Sequence, residues 1–185
     1  MNKQTEPLSD QWDTPTRLLH WVSAIWVLAL MGLGLAMVNF VKASGLKFEL
    51  YQLHKSYGFL FGFVLIARLV WKFFVQRHRT SNTGILRQVG IINQNLMLFL
   101  LFALIVSGYL ATCFSVIPIP IHIFGWNVPS LLSPHMLMEQ RAISAHHVIA
   151  FILLALVLIH IGAALFHHFI LKDKTLIGML RKGNG

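Results

Sequence analysis

The chain has one cysteine, Cys113, and only six acidic residues against fifteen lysines and arginines. A single thiol excludes an internal disulfide, an iron–sulfur cluster built from this chain alone, and haem attached covalently through C-x-x-C-H. Cys113 is expected as a small core residue near the outer end of a third helix. Charge of either sign is missing from three long stretches, 18–41, 88–138 and 142–171, and is sparse in a fourth, 53–75. The polar, acidic segment before Leu18 is followed by no small-residue cleavage site at a suitable distance, and the run after it exceeds the roughly 7–15 residues of a signal-peptide core. That run is therefore read as a retained first helix. There is no sequence repeat or low-complexity segment.

What remains is apolar. Of 185 residues 56% are hydrophobic, and the mean hydropathy of +0.68 is too high for an ordinary soluble domain. A helix needs about 20 apolar residues to cross hydrocarbon, so the four stretches predict four transmembrane helices, at 18–40, 53–75, 89–114 and 142–171. A strand-built barrel would need shorter segments of alternating polarity. Lys42, Gly45 and Lys47 fall in a short outer connection, and 81–84 reads as an inner turn. Pro118, Pro120, Pro129 and Pro134 prevent one regular helix between the third and fourth spans; this still-apolar stretch, with Phe124 and Trp126, is expected on the outer membrane surface as a cap.

The formal net charge of +9 does not point to nucleic acid, because the basic residues gather at helix ends. Lys3, Arg17, Lys72, Arg77, Arg79, Arg87, Lys172, Lys174, Arg181 and Lys182 fall on one side; Lys42, Lys47, Lys55 and Arg141 fall on the other. The positive-inside rule makes the richer side, with both termini, cytoplasmic. The expected organisation is an all-α membrane protein: a cytoplasmic segment 1–17, a four-helix bundle 18–171 holding two b-type haems, and a cytoplasmic tail 172–185.

The haem expectation comes from histidines. His146 and His160 are fourteen residues apart on one helix, which places them on similar faces about 21 Å apart along its axis. Ionisable side chains in hydrocarbon are functional candidates by default. His20, at the inner end of the first span, matches the depth of His160; His54, at the outer start of the second, matches His146. Two imidazoles from facing helices are what a low-spin haem iron takes as axial ligands, whereas zinc or copper would want three or four ligands at one depth. His20, His54, His146 and His160 are therefore the expected haem-binding, iron-ligating set. His147 competes with His146 but points about 140° from His160, against about 40° for His146. Gly58 and Gly62 on the His54 face, Gly32 and Gly34 in the first helix and Gly162 beside His160 could admit a flat ring, or simply pack helices. Arg68, fourteen residues after His54, could pair with a propionate of the inner haem or snorkel with Lys72; Arg17 could act similarly. Lys55 could hold a propionate or attract small anions, and His167 could pass protons to a quinone or line the interface. His168 has the same open status, and His78, His122 and His135 receive no role.

These residues resemble the bacterial cytochrome b561 family, within a wider di-haem cytochrome b group that includes hydrogenase cytochrome b subunits. The matching pieces are Arg17-Leu18-Leu19-His20-Trp21, Leu53-His54-Lys55-Ser56-Tyr57-Gly58, Ala67-Arg68-Leu69-Val70-Trp71, Ser107-Gly108-Tyr109-Leu110 and Phe124-Gly125. The tail continues the match through His160, His167-His168-Phe169 and Lys172-Asp173-Lys174-Thr175-Leu176, so that essentially everything after residue 14 is covered. The resemblance implies a plasma-membrane protein with two haems b, ligated at the four histidines, exchanging electrons with ubiquinone or another quinone. One member type oxidises superoxide on the outer face. The Trp12-to-Arg17 lead-in is closer to hydrogenase-type relatives, so the donor stays open between superoxide, another small molecule and a soluble redox protein. A haem subunit of a larger oxidoreductase and a non-haem transporter are the remaining readings, although a transporter would be expected to show internal repeats and broken helices. Partners expected besides quinone and donor are membrane lipids, and no nucleic acid.

Overall fold

Asp13 sets the start of the first helix. Its extended backbone (φ −61°, ψ 151°) leaves the helix free to begin at Thr14, its carboxylate accepts the Thr16 N–H at 3.1 Å, and Pro15 occupies the first turn, where a missing N–H costs nothing. In the computed structural model, which describes residues 12–42, 45–75, 85–117, 119–173 and 175–180 (Leu86 and Arg87 in backbone only), this helix α1 spans Thr14–Asn39. Helix α2 follows at Gly45–Phe74 and α3 at Ile85–Cys113. Strands β1 (Ile121–Ile123) and β2 (Trp126–Val128) come next, then α4 at Met136–Phe169 and the short α5 at Thr175–Leu180. The first four helices are each long and apolar enough to cross a membrane. The expected turn at 81–84, together with Lys3, Arg77, His78, Arg79, Pro118, Lys174, Arg181 and Lys182, lies outside the described residues.

The helices outrun their apolar stretches. Gly45 and Lys47, expected in a connection, belong to α2, whose start precedes the apolar run; α4 begins at Met136 rather than 142, α3 at Ile85 rather than 89, and α1 at Thr14 rather than 18. Hydropathy marks hydrocarbon depth, whereas helical hydrogen bonding continues into the headgroup layer, where Lys and Glu are good helix formers. His135, to which the sequence assigned no role, caps α4 by accepting the Met138 N–H at 3.4 Å.

The proline-rich segment is a cap, but part of it is a β-hairpin rather than irregular chain. Ile121 pairs with Val128, His122 with Asn127 and Ile123 with Trp126 around a two-residue turn in which Phe124 (φ 46°) and Gly125 (φ 84°) are both left-handed, the backbone that twists correctly into a hairpin. Ile121 and Val128 share a face and are buried. The hairpin is tied to α2: Ser56 Oγ donates to the His122 carbonyl at 2.6 Å and Lys55 Nζ to the Ile119 carbonyl at 3.0 Å.

Inside the bundle α1 lies along α2 and α3 along α4, whereas the backbones of α4 and of the α1–α2 pair approach within 8 Å at isolated positions at most. What joins the four is a middle layer of Val27, Phe61, Leu65, Leu98, Leu101, Leu153 and Val157. Leu153, with no exposed surface, sits seven residues from each of His146 and His160 on α4.

Candidate functional site

Seven-residue steps organise the inward faces. On α1 they pass through His20, Val27 and Gly34; on α2 through His54, Phe61 and Arg68; on α4 through His146, Leu153 and His160. Seven residues are nearly two turns, so each triplet stays on one face while advancing about 10 Å per step. Polar groups therefore sit at two depths with a buried apolar residue between them.

The two depths each hold one histidine pair. The rings of His54 and His146 are 6.2 Å apart between centroids, tilted by 79°, and those of His20 and His160 are also 6.2 Å apart, tilted by 59°. All four are half-buried, and His147 is exposed, so His146 is the one that faces α2. Two metal–nitrogen bonds of roughly 2 Å, with about 1 Å more to each ring centre, span about 6 Å. The separation thus admits one iron between each pair, and the sparse backbone approach between α4 and the α1–α2 pair leaves those facing positions bridged by side chains. Among the described residues no group of three or more His, Cys, Asp or Glu gathers as a conventional metal site. Donor number and spacing therefore fit an iron that brings its other four ligands with it.

At the first pair the imidazoles are oriented from behind. His146 Nδ1 lies 3.0 Å from the Leu104 carbonyl and 3.2 Å from Ser107 Oγ. A carbonyl only accepts, so Nδ1 carries the proton and Nε2 keeps its lone pair, the tautomer a ligating imidazole needs. The ring can reach that carbonyl because residue 108 is glycine: a Cβ there would stand 3.1 Å from His146 Cε1 and 3.2 Å from Nδ1. His54 is set against α1 in the same manner. Its buried Nδ1 lies by the Leu30 carbonyl without reaching good hydrogen-bond geometry, and a Cβ on Gly34 would be 3.3 Å from its Cε1. Each ring thus lies over a glycine one turn beyond the carbonyl that orients it, Leu30 with Gly34 and Leu104 with Gly108. The sequence reading included Gly34 but missed Gly108; the shared Leu-x-x-x-Gly spacing was the available signal. Gly62 instead faces Ile105 at 3.7 Å, and Gly32, Gly58 and Gly162 meet open space.

The second pair carries a charge. An Arg68 N–H donates to His20 Nδ1 at 3.3 Å, so the guanidinium turns into the bundle instead of reaching for headgroups. Trp21 flanks His20 with ring centroids 5.4 Å apart, and its indole N–H donates to the Met179 carbonyl of α5 at 3.0 Å. The tail is held over this end by His167, whose Nδ1 meets Asp173 Oδ2 at 2.5 Å, while Asp173 Oδ1 accepts the Thr175 N–H at 2.9 Å. Burial alone would raise the Asp173 carboxyl, but the bonds from His167 and Thr175 outweigh it and hold it down at about 2. On the opposite corner Asp13 accepts the Trp71 indole N–H at 2.9 Å, tying α1 to α2, and bonds from Thr16 and Trp71 outweigh burial and keep its carboxyl below the ordinary range. Lys55 is engaged by the hairpin, as described above, while Lys42 is exposed and Lys47 half-buried.

Comparison with known proteins agrees with this geometry. A family model described as prokaryotic cytochrome b561 matches residues 11–182. Two proteins of Escherichia coli (strain K12) are similar along most of their length. Cytochrome b561 homolog 2 is 34% identical over 168 residues, covering 89% of this chain and 88% of the relative. Cytochrome b561 homolog 1 is 27% identical over 169 residues, covering 88% and 92%.

Proposed function

The chain belongs to the prokaryotic cytochrome b561 family, and from that membership we propose that it carries two b-type haems and relays electrons between a donor at the hairpin end of the bundle and the quinone pool. As a family member it is a membrane b-type haem electron-transfer protein, multi-pass in the bacterial inner membrane. The observation that carries the two-haem reading is the repetition of one ring geometry, 6.2 Å between imidazole centroids, at two depths. His54 and His146 hold one haem and His20 and His160 the other, within a membrane domain of residues 18–171 flanked by a segment 1–17 and a tail 172–185.

Bound haem supplies iron that gains and loses single electrons. The chain's own part is to hold and insulate. Leu104 and Ser107 fix the His146 ring, and Leu30 with Gly34 seats His54. Phe61 and Leu153 fill the layer between the two sites and keep water out. Arg68 has a further role that follows from proton counting. If His20 ligates through Nε2, its Nδ1 must carry the proton and can no longer accept from a guanidinium. Arg68 then requires another acceptor, and haem carboxylates are acceptors of the right charge and shape for it.

A pyridine haemochrome assay on purified protein tests the proposal: two haems b per chain are expected. His160→Ala should remove one and leave a bis-histidine spectrum from the His54–His146 pair, and His146→Ala should do the converse. Loss of both haems in either variant would refute two separate sites.

A further inference from the structure

A groove of about 310 Å³ runs between α2 and α3 on the outer surface of the bundle, near the end where α2 stops and α3 starts, lined by Leu69, Lys72, Asn95, Leu98, Phe99 and Phe102. Its composition is graded. At one end Lys72, in the last turn of α2, donates through Nζ to Asn95 Oδ1 at 2.5 Å. Because Asn95 spends its oxygen on Lys72, a ligand meets its NH2, so both polar groups offer donors. The rest of the groove is hydrocarbon: 95, 98, 99 and 102 form one helical stripe of α3, and every residue from 96 to 106 is apolar. Phe99 and Phe102 are exposed, while Leu98 is buried at the floor.

The depth is that of a headgroup boundary. Asn95 ends the polar opening turns of α3, which hold Arg87, Gln88, Asn93 and Gln94 in sequence, and apolar α3 begins immediately after it. The charge there is one-signed. The chain has no Asp or Glu between Glu49 and Glu139, and that stretch contains Lys55, Arg68, Lys72, Arg77, Arg79 and Arg87. Four of these, Lys72, Arg77, Arg79 and Arg87, flank or lie in the connection from α2 to α3. Basic pockets between transmembrane helices at a membrane face attract anionic head groups, and each nearby cation contributes on the order of 1 kcal/mol.

We propose that this groove holds one anionic phospholipid, its phosphate on Lys72 and Asn95 and one acyl chain along Leu98, Phe99 and Phe102. The donor-only end matches a phosphodiester oxygen, the apolar stripe matches a chain, and the surplus of basic residues selects a net-negative lipid over a zwitterionic one. This inference does not rest on the haem ligands or on the identity of the electron donor.

Native mass spectrometry tests it on the full chain extracted from membranes in mild detergent and exposed to equal amounts of phosphatidylglycerol and phosphatidylcholine. Wild type and Lys72→Arg should keep one phosphatidylglycerol at collision energies that strip phosphatidylcholine. Lys72→Gln should lower that retention about fivefold, the worth of one cation. Asn95→Asp, which keeps the shape but opposes a phosphate with a carboxylate, should lower it as well, so the proposal does not depend on one variant folding. Equal retention of the two lipids, unchanged retention in both variants, or a quinone held in the groove in place of phospholipid would overturn it.

Discussion

At His146 the orientation of a proposed iron ligand depends on a methyl group that is absent. The Leu104 carbonyl can take the Nδ1 proton only if the ring lies against the α3 backbone, and a side chain at residue 108 would occupy that space, 3.1 Å from Cε1. Gly108→Ala must therefore push the ring by a few tenths of an ångström or more, and a ligand so displaced loses metal affinity, commonly by 10–100-fold when its support is removed. The expected result is one haem per chain instead of two, with the His20–His160 spectrum retained. Gly34→Ala should act in the same direction on His54 but more weakly, since its new methyl meets the ring at 3.3 Å and no firm hydrogen bond is lost. Haem content and the low-spin optical signal measure both. Arg68 makes a different kind of statement, because it is a fixed positive charge beside the other pair. Removing it in Arg68→Gln should favour the ferric state and lower the potential of that haem alone. A unit charge at ~8 Å with an effective dielectric of ~20 is worth about 2 kcal/mol, on the order of 90 mV for one electron. A redox titration in which both haems shift equally, or neither does, would remove Arg68 from the site.

The elements at the two ends of the bundle are held by single polar contacts, and their pH behaviour follows from those contacts. Helix α4 ends with Lys172 in the left-handed conformation (φ 54°) and the Asp173 N–H returned to the His167 carbonyl, a Schellman-type turn. This sends the chain back so that α5 can reach Trp21. Asp173 has its carboxyl lowered to about 2, so its contribution is complete above the ordinary value of 3.8 and is lost as pH falls through about 2. Hydrogen exchange of residues 175–180 should therefore stay slow from neutral pH down to about 4, accelerate only as pH falls toward 2, and be fast throughout in Asp173→Asn. Part of this could be read from the sequence and part could not. The four spans, the two histidine depths and the choice of His146 over His147 follow from apolar length and a 3.6-residue period, signals that extend over many residues. The hairpin did not announce itself, because Phe124-Gly125 lacks the Asn-Gly or Asp-Gly pair that usually marks such a turn, and strands of three residues are too short for alternation to stand out. Helix α5 was hidden for a related reason: six residues carry no periodicity worth reading, and α5 is held by Asp173 and by a backbone carbonyl to Trp21. Gly108 was concealed because a glycine in an apolar run reads equally as helix packing, and only the ring lying over it separates the two.

For the molecule as a whole the ordering principle is an apolar layer with charge sorted to one face. Val27, Phe61 and Leu153 fall midway along the three triplets that carry the histidines, so the two sites share helices without sharing side chains. That is why the single-histidine variants are expected to act independently. The same arrangement gives the bundle an up–down course in which residues 14 and 169 lie at the His20 end and the hairpin lies at the His54 end. The His20 end is also the basic one, with Arg17, Lys72 and Lys172 among the described residues and Arg77, Arg79, Arg181 and Lys182 in the sequence. The N-terminal face carries the acids Glu6, Asp10 and Asp13, but acidic residues weigh little in topology, whereas lysines and arginines near short connections weigh heavily. Both termini are therefore expected in the cytoplasm and the hairpin on the periplasmic face. A fluorescent-protein fusion after Gly185 should glow and an alkaline phosphatase fusion there should be inactive, while phosphatase inserted at Gly125, in the exposed hairpin turn, should be active. The reverse pattern would invert the proposed direction of electron flow, since the donor would then meet His54 from the cytoplasm. Haem content would be unaffected, because the bundle interior does not depend on which way the charges point.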